Sequence, residues 1–213
     1  MTDNRFLWEY DEALGFDGLC GIDEVGRGPL AGPVCAACVV LPRGLELNAL
    51  NDSKKMTEKR RADTFRLLTE CPQVYYGIGF ADQREIDEFN ILQATFLAMQ
   101  RAYAELLARL PDKKALRLAL VDGNRDPHLP LETRLVVKGD GTSAHIAAAS
   151  VLAKVTRDRL MTEYAGEYPH YGWEKNKGYG SKEHYAGIAA HGITPLHRRS
   201  FLKNLSEKHY DGK

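Results

Sequence analysis

Short apolar runs bounded by Gly and Pro alternate along the chain with longer segments in which apolar residues recur about every 3.6 positions. The short runs are rich in β-branched residues and predict strands at residues 19–25, 33–41, 74–80, 118–121 and 133–137. The longer period predicts helices at residues 56–71, with Thr57 as N-cap, 90–110 and 143–164. From about Ser181 the pattern predicts further helix, interrupted by Gly192 and Pro195.

The order of these elements predicts an α/β fold. Strands that come first and are then interleaved with helices indicate a mixed sheet with helices on both faces. We expect residues 1–180 to form this domain and residues 181–213 to form a C-terminal helical appendage of it. A chain of 213 residues is long enough to bury a substantial core.

The formal charge is balanced but unevenly distributed. Because 29 Lys and Arg face 29 Asp and Glu, no global positive field indicates a nucleic-acid partner. Residues 51–61, however, hold five basic and two acidic side chains. This distribution allows a basic groove beside an acidic centre.

The chain carries the pattern of a cytoplasmic protein. No apolar run approaches the roughly 20 residues of a membrane span, and residues 1–18 are too charged for a signal peptide. Cys35 and Cys38 have the C-x-x-C spacing of zinc and redox sites. They lie in an apolar strand pattern with no second pair nearby, which favours buried core residues. Free thiols suit a reducing compartment.

Four acidic residues lie at or beside the ends of predicted strands: Asp23, Glu24, Asp122 and Asp140. Asp122 and Asp140 each precede a Gly, so either could be only a turn residue. Asp23 and Glu24 are harder to explain in this way, because the strand pattern runs directly into them. Successive strand residues point to opposite faces, so both carboxylates reach one site only if the strand bends or ends there. The glycines of the following GRG sequence permit such a bend.

Converging carboxylates indicate a metal site. They repel one another and favour bound protons unless a cation is present. Oxygen ligands select Mg²⁺ or Mn²⁺ over zinc, and two such ions about 4 Å apart can activate a water and stabilise the leaving oxygen in phosphodiester hydrolysis. The competing interpretation is a zinc centre of His184, His191 and His197. Their spacings of seven and six residues suit no standard pair of ligands on one helix.

Seven segments together carry a resemblance to a known family. They are GIDEVGRGPLAGPV (21–34), LNDSKKMTEKRR (50–61), LVDGN (120–124), VVKGD (136–140), IAAASVLAKVTRD (146–158), NKGYGSKEH (176–184) and HRRSF (197–201). In this order and spacing they resemble the signature segments of ribonuclease HII, the type 2 ribonuclease H family, over about residues 17–202. Ribonuclease HIII, the close relative, has an extra N-terminal domain and lacks this GRG sequence.

The resemblance implies a ribonuclease H-like fold and a two-metal endonuclease, with Mg²⁺ or Mn²⁺, that acts on RNA–DNA hybrids and on single ribonucleotides in DNA. Cleavage would fall 5′ to the ribonucleotide and leave 3′-hydroxyl and 5′-phosphate ends. The metal-binding catalytic carboxylates would be Asp23, Glu24, Asp122 and Asp140. The substrate contacts would be Gly26, Arg27 and Gly28 at the 2′-hydroxyl, Tyr179 at the neighbouring sugar, and Asn51, Ser53 and Lys54 at phosphates. We expect a monomer; the C-terminal residues LKNLSEKHYDGK contain no clamp-binding motif that we recognise.

The residues alone leave simpler interpretations open. The GRG sequence could be only a tight turn, Lys54 only part of a solvated helix face, and Tyr179 only a core aromatic. The Lys and Gly neighbours of Tyr179 indicate an exposed, positively charged loop instead. Two other classes of function also stay open. A different carboxylate-metal nuclease of the same fold would need no ribonucleotide, and a nucleic-acid-binding module without catalysis would show no metal-dependent turnover.

Overall fold

A computed structural model describes residues 4–15, 17–45, 47 and 56–203. Five strands lie in this part of the chain: β1 (Leu19–Val25), β2 (Val34–Val40), β3 (Tyr75–Ala81), β4 (Leu118–Asp122) and β5 (Glu132–Val136). The same residues contain seven α-helices: α1 (Arg5–Ala13), α2 (Glu58–Glu70), α3 (Gln83–Phe89), α4 (Ile91–Arg109), α5 (Ala144–Glu167), α6 (Trp173–Asn176) and α7 (Lys182–His191). None of these helices is both long and apolar enough to cross a membrane.

All five predicted strands are confirmed to within one residue at either end, and the predicted long helices correspond to α2, α4 and α5. Thr57 caps α2 as predicted, because its hydroxyl accepts the N–H of Arg60 at 3.3 Å. The predicted C-terminal helix is α7, which ends at His191 with Gly192 as its C-cap. The apolar pattern does not predict α1, α3 or α6, which are too short, at 9, 7 and 4 residues, to show a clear period.

The sheet is mixed, with the strand order β3-β2-β1-β4-β5. β2 runs antiparallel to β1 and β3, whereas β4 runs parallel to β1 and β5. The predicted α/β fold with a mixed sheet is therefore confirmed. Because β1 and β4 are parallel neighbours, their carboxyl ends meet at the same edge of the sheet.

Helices pack closely on both faces. α5 lies on β1 and β2, and α4 lies on β2 and β3. Glycines in the strands permit this approach: a Cβ at Gly21 would overlap the carbonyl of His145 in α5, and a Cβ at Gly79 would overlap the carbonyl of Ala98 in α4. The position of α5 matters for function, because Ser150 and Arg157 along it lie beside Asp23 and Gly26 at the end of β1.

The two cysteines of the C-x-x-C sequence lie in different layers of the core. Cys35 packs in the cluster on the α5 side of the sheet, and Cys38 packs in the cluster on the α4 side. Both are free and fully buried. They are core residues, as the apolar pattern of β2 predicts.

The C-terminal segments attach to the loop that follows β1. The N–H of Leu30 donates to the carbonyl of Gly178 at 2.8 Å, and the N–H of Arg198 donates to the carbonyl of Leu30 at 2.8 Å. The N–H of Gly32 donates to the carbonyl of Leu196 at 2.9 Å. Segments on both sides of residue 180 therefore bind one loop, and the predicted boundary there stays a prediction.

Candidate active site

Three of the predicted carboxylates meet at the edge of the sheet where β1 and β4 end. The two strands pair as far as Ile22 opposite Val121, so Asp23 and Asp122 are the next residues of two parallel neighbours. One carboxylate oxygen from each of Asp23, Glu24 and Asp122 lies within 4.8 Å of the other two. We call these three residues the carboxylate cluster.

Asp23 and Glu24 converge although they are consecutive. Asp23 is only 5% exposed and bonds to Ser150 of α5. Its Oδ1 accepts the backbone N–H of Glu24 at 2.7 Å. β1 ends one residue later, at Val25, and the chain turns at Gly26, where φ is +92°. The strand end and turn that convergence requires are therefore present one residue after the two acids.

Asp122 is held by the turn that carries Asp140. Its Oδ1 accepts the N–H of Gly139 at 2.6 Å. A side chain at position 139 would not fit, because a Cβ there would lie 3.2 Å from the same oxygen and closer still to Ile146. Asp140 is the next residue, half-buried in the 3₁₀ turn Gly139–Gly141, but it lies outside the 4.8 Å group. Its place as a fourth ligand stays a prediction.

Burial and mutual repulsion make Asp23 and Glu24 favour protons. Burial is the largest cause that raises the pKa of Asp23 well above its ordinary value, and the charges of Glu24 and Asp122 add to it. Burial also raises the pKa of Glu24; the Arg27 guanidinium, 3.4 Å from Glu24 Oε1, opposes this, and Asp122 reinforces it. A divalent cation relieves both effects. A donor set made only of carboxylate oxygens fits Mg²⁺ or Mn²⁺.

The GRG loop (Gly26–Gly28) lies beside Tyr179. A Cβ at Gly28 would be 3.4 Å from Tyr179 Cε1, so the ring is in van der Waals distance of the loop. Tyr179 is 46% exposed, which excludes a core aromatic. Arg27, in the same loop, contacts Glu24. The GRG loop therefore joins the exposed ring to the carboxylate cluster.

Two fully buried arginines, which the sequence pattern does not single out, bond to this region. Arg198 donates at 2.6, 3.0 and 2.9 Å to the carbonyls of Gly26, Arg27 and Gly32. Arg157 donates at 3.2, 2.8 and 2.9 Å to the carbonyls of Ala31, Pro33 and Lys177. The local sequence gives no signal for the burial of Arg157, because Lys154, Asp158 and Arg159 around it are charged as well.

Histidines near the C-terminus form a hydrogen-bonded network. His197 Nδ1 accepts the N–H of Thr194 at 2.9 Å, so in the neutral ring the proton is on Nε2, 3.1 Å from His184 Nε2. His184 Nδ1 lies 2.9 Å from the carbonyl of Tyr179 and must donate to it. His184 Nε2 also accepts the indole N–H of Trp173 at 3.1 Å. Burial lowers the pKa of His184 and, aided by His184, lowers that of His197 to about 4.

This network occupies two of the three histidines considered for zinc. The third, His191, stacks on His170 with ring centroids 3.9 Å apart. Among the described residues, the group suited to a metal contains the carboxylate cluster and no histidine. The remaining predicted substrate contacts, Asn51, Ser53 and Lys54, lie outside the described residues.

Comparison with known proteins connects this geometry to a family. The family model described as Ribonuclease HII matches residues 20–204. Curated proteins named Ribonuclease HII include one from Clostridioides difficile (strain 630), 49% identical over 196 residues, which cover 92% of this chain and 73% of that protein. Another, from Magnetococcus marinus (strain ATCC BAA-1437 / JCM 17883 / MC-1), is 52% identical over 184 residues, which cover 86% of this chain and 84% of that protein.

Solved structures show the same fold. The ribonuclease H2 from Pyrococcus horikoshii OT3 matches with a TM-score of 0.69 and 26% identity, over 91% of this chain and 99% of that one. The structure of Bst-RNase HIII in complex with Mn²⁺ matches with a TM-score of 0.67 and 17% identity, over 90% of this chain and 67% of that one. Because the family model spans β1 to β5 and the C-terminal helices, the chain belongs to the ribonuclease HII family, metal-dependent nucleases that cleave the RNA of RNA–DNA hybrids.

Proposed function

We propose that this chain hydrolyses the RNA strand of RNA–DNA hybrids and also incises DNA 5′ to single embedded ribonucleotides, leaving 3′-hydroxyl and 5′-phosphate ends. The observation that carries the proposal is the carboxylate cluster beside a glycine loop and an exposed tyrosine ring. Acids alone would serve any nuclease of this fold, whereas a site that reads ribose also needs groups at the sugar. Such an enzyme suits ribonucleotide excision repair in the cytoplasm.

Asp23, Glu24, Asp122 and Asp140 would hold two Mg²⁺ or Mn²⁺ ions. Bound ions would supply an activated water and stabilise the leaving oxygen. The chain itself fixes the ligand oxygens, because the N–H of Glu24 orients Asp23 and the N–H of Gly139 orients Asp122. Since burial raises the pKa of Asp23 and Glu24, metal binding displaces protons, and metal affinity rises with pH.

Backbone groups of Gly26, Arg27 and Gly28 would read the 2′-hydroxyl. That hydroxyl is what distinguishes RNA from DNA at one sugar, and glycine lets the backbone approach it without a Cβ in between. A site built to bond a hydroxyl can reject a substrate without one by roughly 10⁴-fold, because its own polar groups are then unpaired. The ring of Tyr179 would pack on the adjacent sugar, which its exposure and its contact with Gly28 support.

Contacts to phosphate would complete substrate binding. Asn51, Ser53 and Lys54 would supply them, and Arg27 offers a forked guanidinium whose side chain is 50% exposed. Basic side chains at these positions displace counterions from the duplex, so binding is sensitive to salt even though the net charge is zero.

Three matched duplexes test the proposal: all DNA, DNA with one ribonucleotide, and an RNA–DNA hybrid. With Mg²⁺ or Mn²⁺ we expect cleavage of the second and third duplexes only. In the second duplex, the nick should carry a 3′-hydroxyl on the DNA side and a 5′-phosphate on the ribonucleotide, so that a DNA ligase can seal it. Cleavage of the all-DNA duplex would replace the proposal with a different nuclease of this fold. Cleavage of the hybrid alone would remove the single-ribonucleotide activity. Asp122→Asn, purified in parallel, controls for contaminating nucleases.

A further inference from the structure

Arg157 and Arg198 are each 0% exposed. Among the described residues, neither forms an ion pair with a carboxylate. Burial lowers the pKa of both guanidinium groups, that of Arg198 to about 9. A buried charge is costly unless its hydrogen-bond donors are satisfied. Here the partners are six backbone carbonyls, three for each arginine.

These carbonyls belong to two loops that together form the proposed sugar site. Arg198 bonds to the GRG loop at Gly26 and Arg27 and, at the far end of the β1–β2 connection, to Gly32. Arg157 bonds to the same far end, at residues 31 and 33, and to Lys177, two residues before Tyr179. Arg157 also lies directly under the loop, because a Cβ at Gly26 would overlap its guanidinium.

We infer that Arg157 and Arg198 are positioning residues for ribose recognition, which set the gap between Gly28 and Tyr179 in which the sugar is read. The inference rests on the proposed function. Neither side chain reaches solvent, so neither touches substrate; each acts through the backbone that it holds. Arg157 is the more informative of the two, because it alone bonds to both loops.

Lysine is the appropriate substitution. It keeps the positive charge but replaces a planar fork of five N–H donors by a single ammonium. An ammonium cannot reach three carbonyls with the geometry of the guanidinium. Two exposed arginines provide matched controls on the same segments: Arg159, two residues from Arg157, and Arg199, next to Arg198.

The first measurement is kcat/KM on DNA with one ribonucleotide, together with Mn²⁺ affinity by titration calorimetry. For Arg157→Lys and Arg198→Lys we expect a loss of about 10²-fold in kcat/KM, the size that a displacement of about 1 Å can cause. Mn²⁺ affinity should be unchanged, because the carboxylate cluster is held by the sheet. Arg159→Lys and Arg199→Lys should match the unmodified protein. Full activity in a folded Arg157→Lys protein overturns the inference.

A double variant separates positioning from general stability. If Arg157 acts by placing Tyr179, then the double variant Arg157→Lys, Tyr179→Ala should be as active as the less active of the two single variants. Additive losses would show that Arg157 does not act through Tyr179. Arg159→Lys combined with Tyr179→Ala is the control and should equal Tyr179→Ala alone.

Amide hydrogen exchange tests the inference without any cleavage. The amides of Leu30 and Gly32, bonded to the carbonyls of Gly178 and Leu196, should exchange faster in both lysine variants, while those of β1 should not change. Unchanged exchange at these two amides contradicts the inference, whatever the activity.

If the unmodified protein fails to cut at ribonucleotides, the proposed function fails, and the exchange data still decide whether the arginines hold the loops. Circular dichroism reports folding, and if Arg157→Lys does not fold, Arg198→Lys is judged by the same exchange criterion.

Discussion

The carboxylate cluster and the proposed sugar site at Gly28 and Tyr179 are neighbours, but they are positioned by different means. Asp23 and Asp122 extend the hydrogen-bonded register of two parallel strands, so the sheet sets their separation. Gly28 and Tyr179 lie on loops that are distant in sequence, and six bonds from two buried arginines hold those loops. The acids therefore take their precision from the sheet, whereas the proposed sugar site depends on two buried side chains that hold its loops. Changes in the two regions should therefore have different consequences.

The largest expected effect is in the carboxylate cluster. Asp23→Asn, Glu24→Gln, Asp122→Asn and Asp140→Asn should each lower kcat by orders of magnitude, because each would remove the charge of a proposed ligand oxygen. Turnover on DNA with one ribonucleotide, at saturating Mg²⁺ or Mn²⁺, measures this. Glu132→Gln, at an exposed position of β5, is the control. Full activity in EDTA, or in any two of the four variants, contradicts the two-metal mechanism. A small loss for Asp140→Asn alone would mean that the metal ligands are the three acids of the carboxylate cluster.

The next effect concerns the sugar site and should leave metal affinity intact. Gly28→Val should lose nearly all activity on a single ribonucleotide, because the new side chain meets the Tyr179 ring. Tyr179→Ala should lose most of it, by about 10²-fold, since the ring that holds the sugar is absent. Tyr179→Phe is the matched variant and should keep much of the activity, because the contact is made by the ring's face. If Tyr179→Ala were as active as the unmodified protein, Tyr179 would not belong to the site.

The same contrast explains what the sequence could predict. β1 and β4 are apolar runs, so their ends, and the acids at those ends, can be located from the pattern alone. Neither periodicity nor turn chemistry shows that Tyr179 lies beside Gly28; that placement comes only from the family resemblance. Asp11 is a further example: it lies buried in α1 and accepts bonds from the backbone and ring of His145 at 3.1 and 2.8 Å. Contacts between residues that are distant in sequence leave no local signal, because the partner is in another part of the chain.

A third prediction concerns the histidine network behind Tyr179. The unfolded chain binds protons at His197 near pH 6.5, whereas burial lowers the folded pKa to about 4. Between these values the unfolded state binds more protons, so stability present above pH 6.5 is lost as the pH falls to about 4. The contribution of His197 is about 3 kcal/mol. Urea unfolding at pH 7, 5 and 4 should show this loss, and His197→Gln should show a smaller one; parallel profiles for the two proteins would contradict the neutral network.

The smallest effect lies in the carboxylate cluster. Here stability is lost as the pH rises, which is opposite to the pH dependence expected for His197. The folded-state pKa of Asp23 is raised above its ordinary value of 3.8, so the folded state binds its proton more tightly than the unfolded state. The resulting contribution to the free energy of unfolding is complete below pH 3.8 and is lost as the pH rises through the folded pKa. In EDTA at pH 8, Asp23→Asn should therefore unfold at a higher urea concentration than the unmodified protein, because Asn carries no charge to bury or repel. Asn keeps the oxygen that accepts the N–H of Glu24. Saturating Mn²⁺ should reverse the order, since only the unmodified cluster gains the full binding energy. If Asp23→Asn were the less stable protein in EDTA, repulsion could not be what the metal relieves, and the acids would be held by their hydrogen bonds, as the sugar site is.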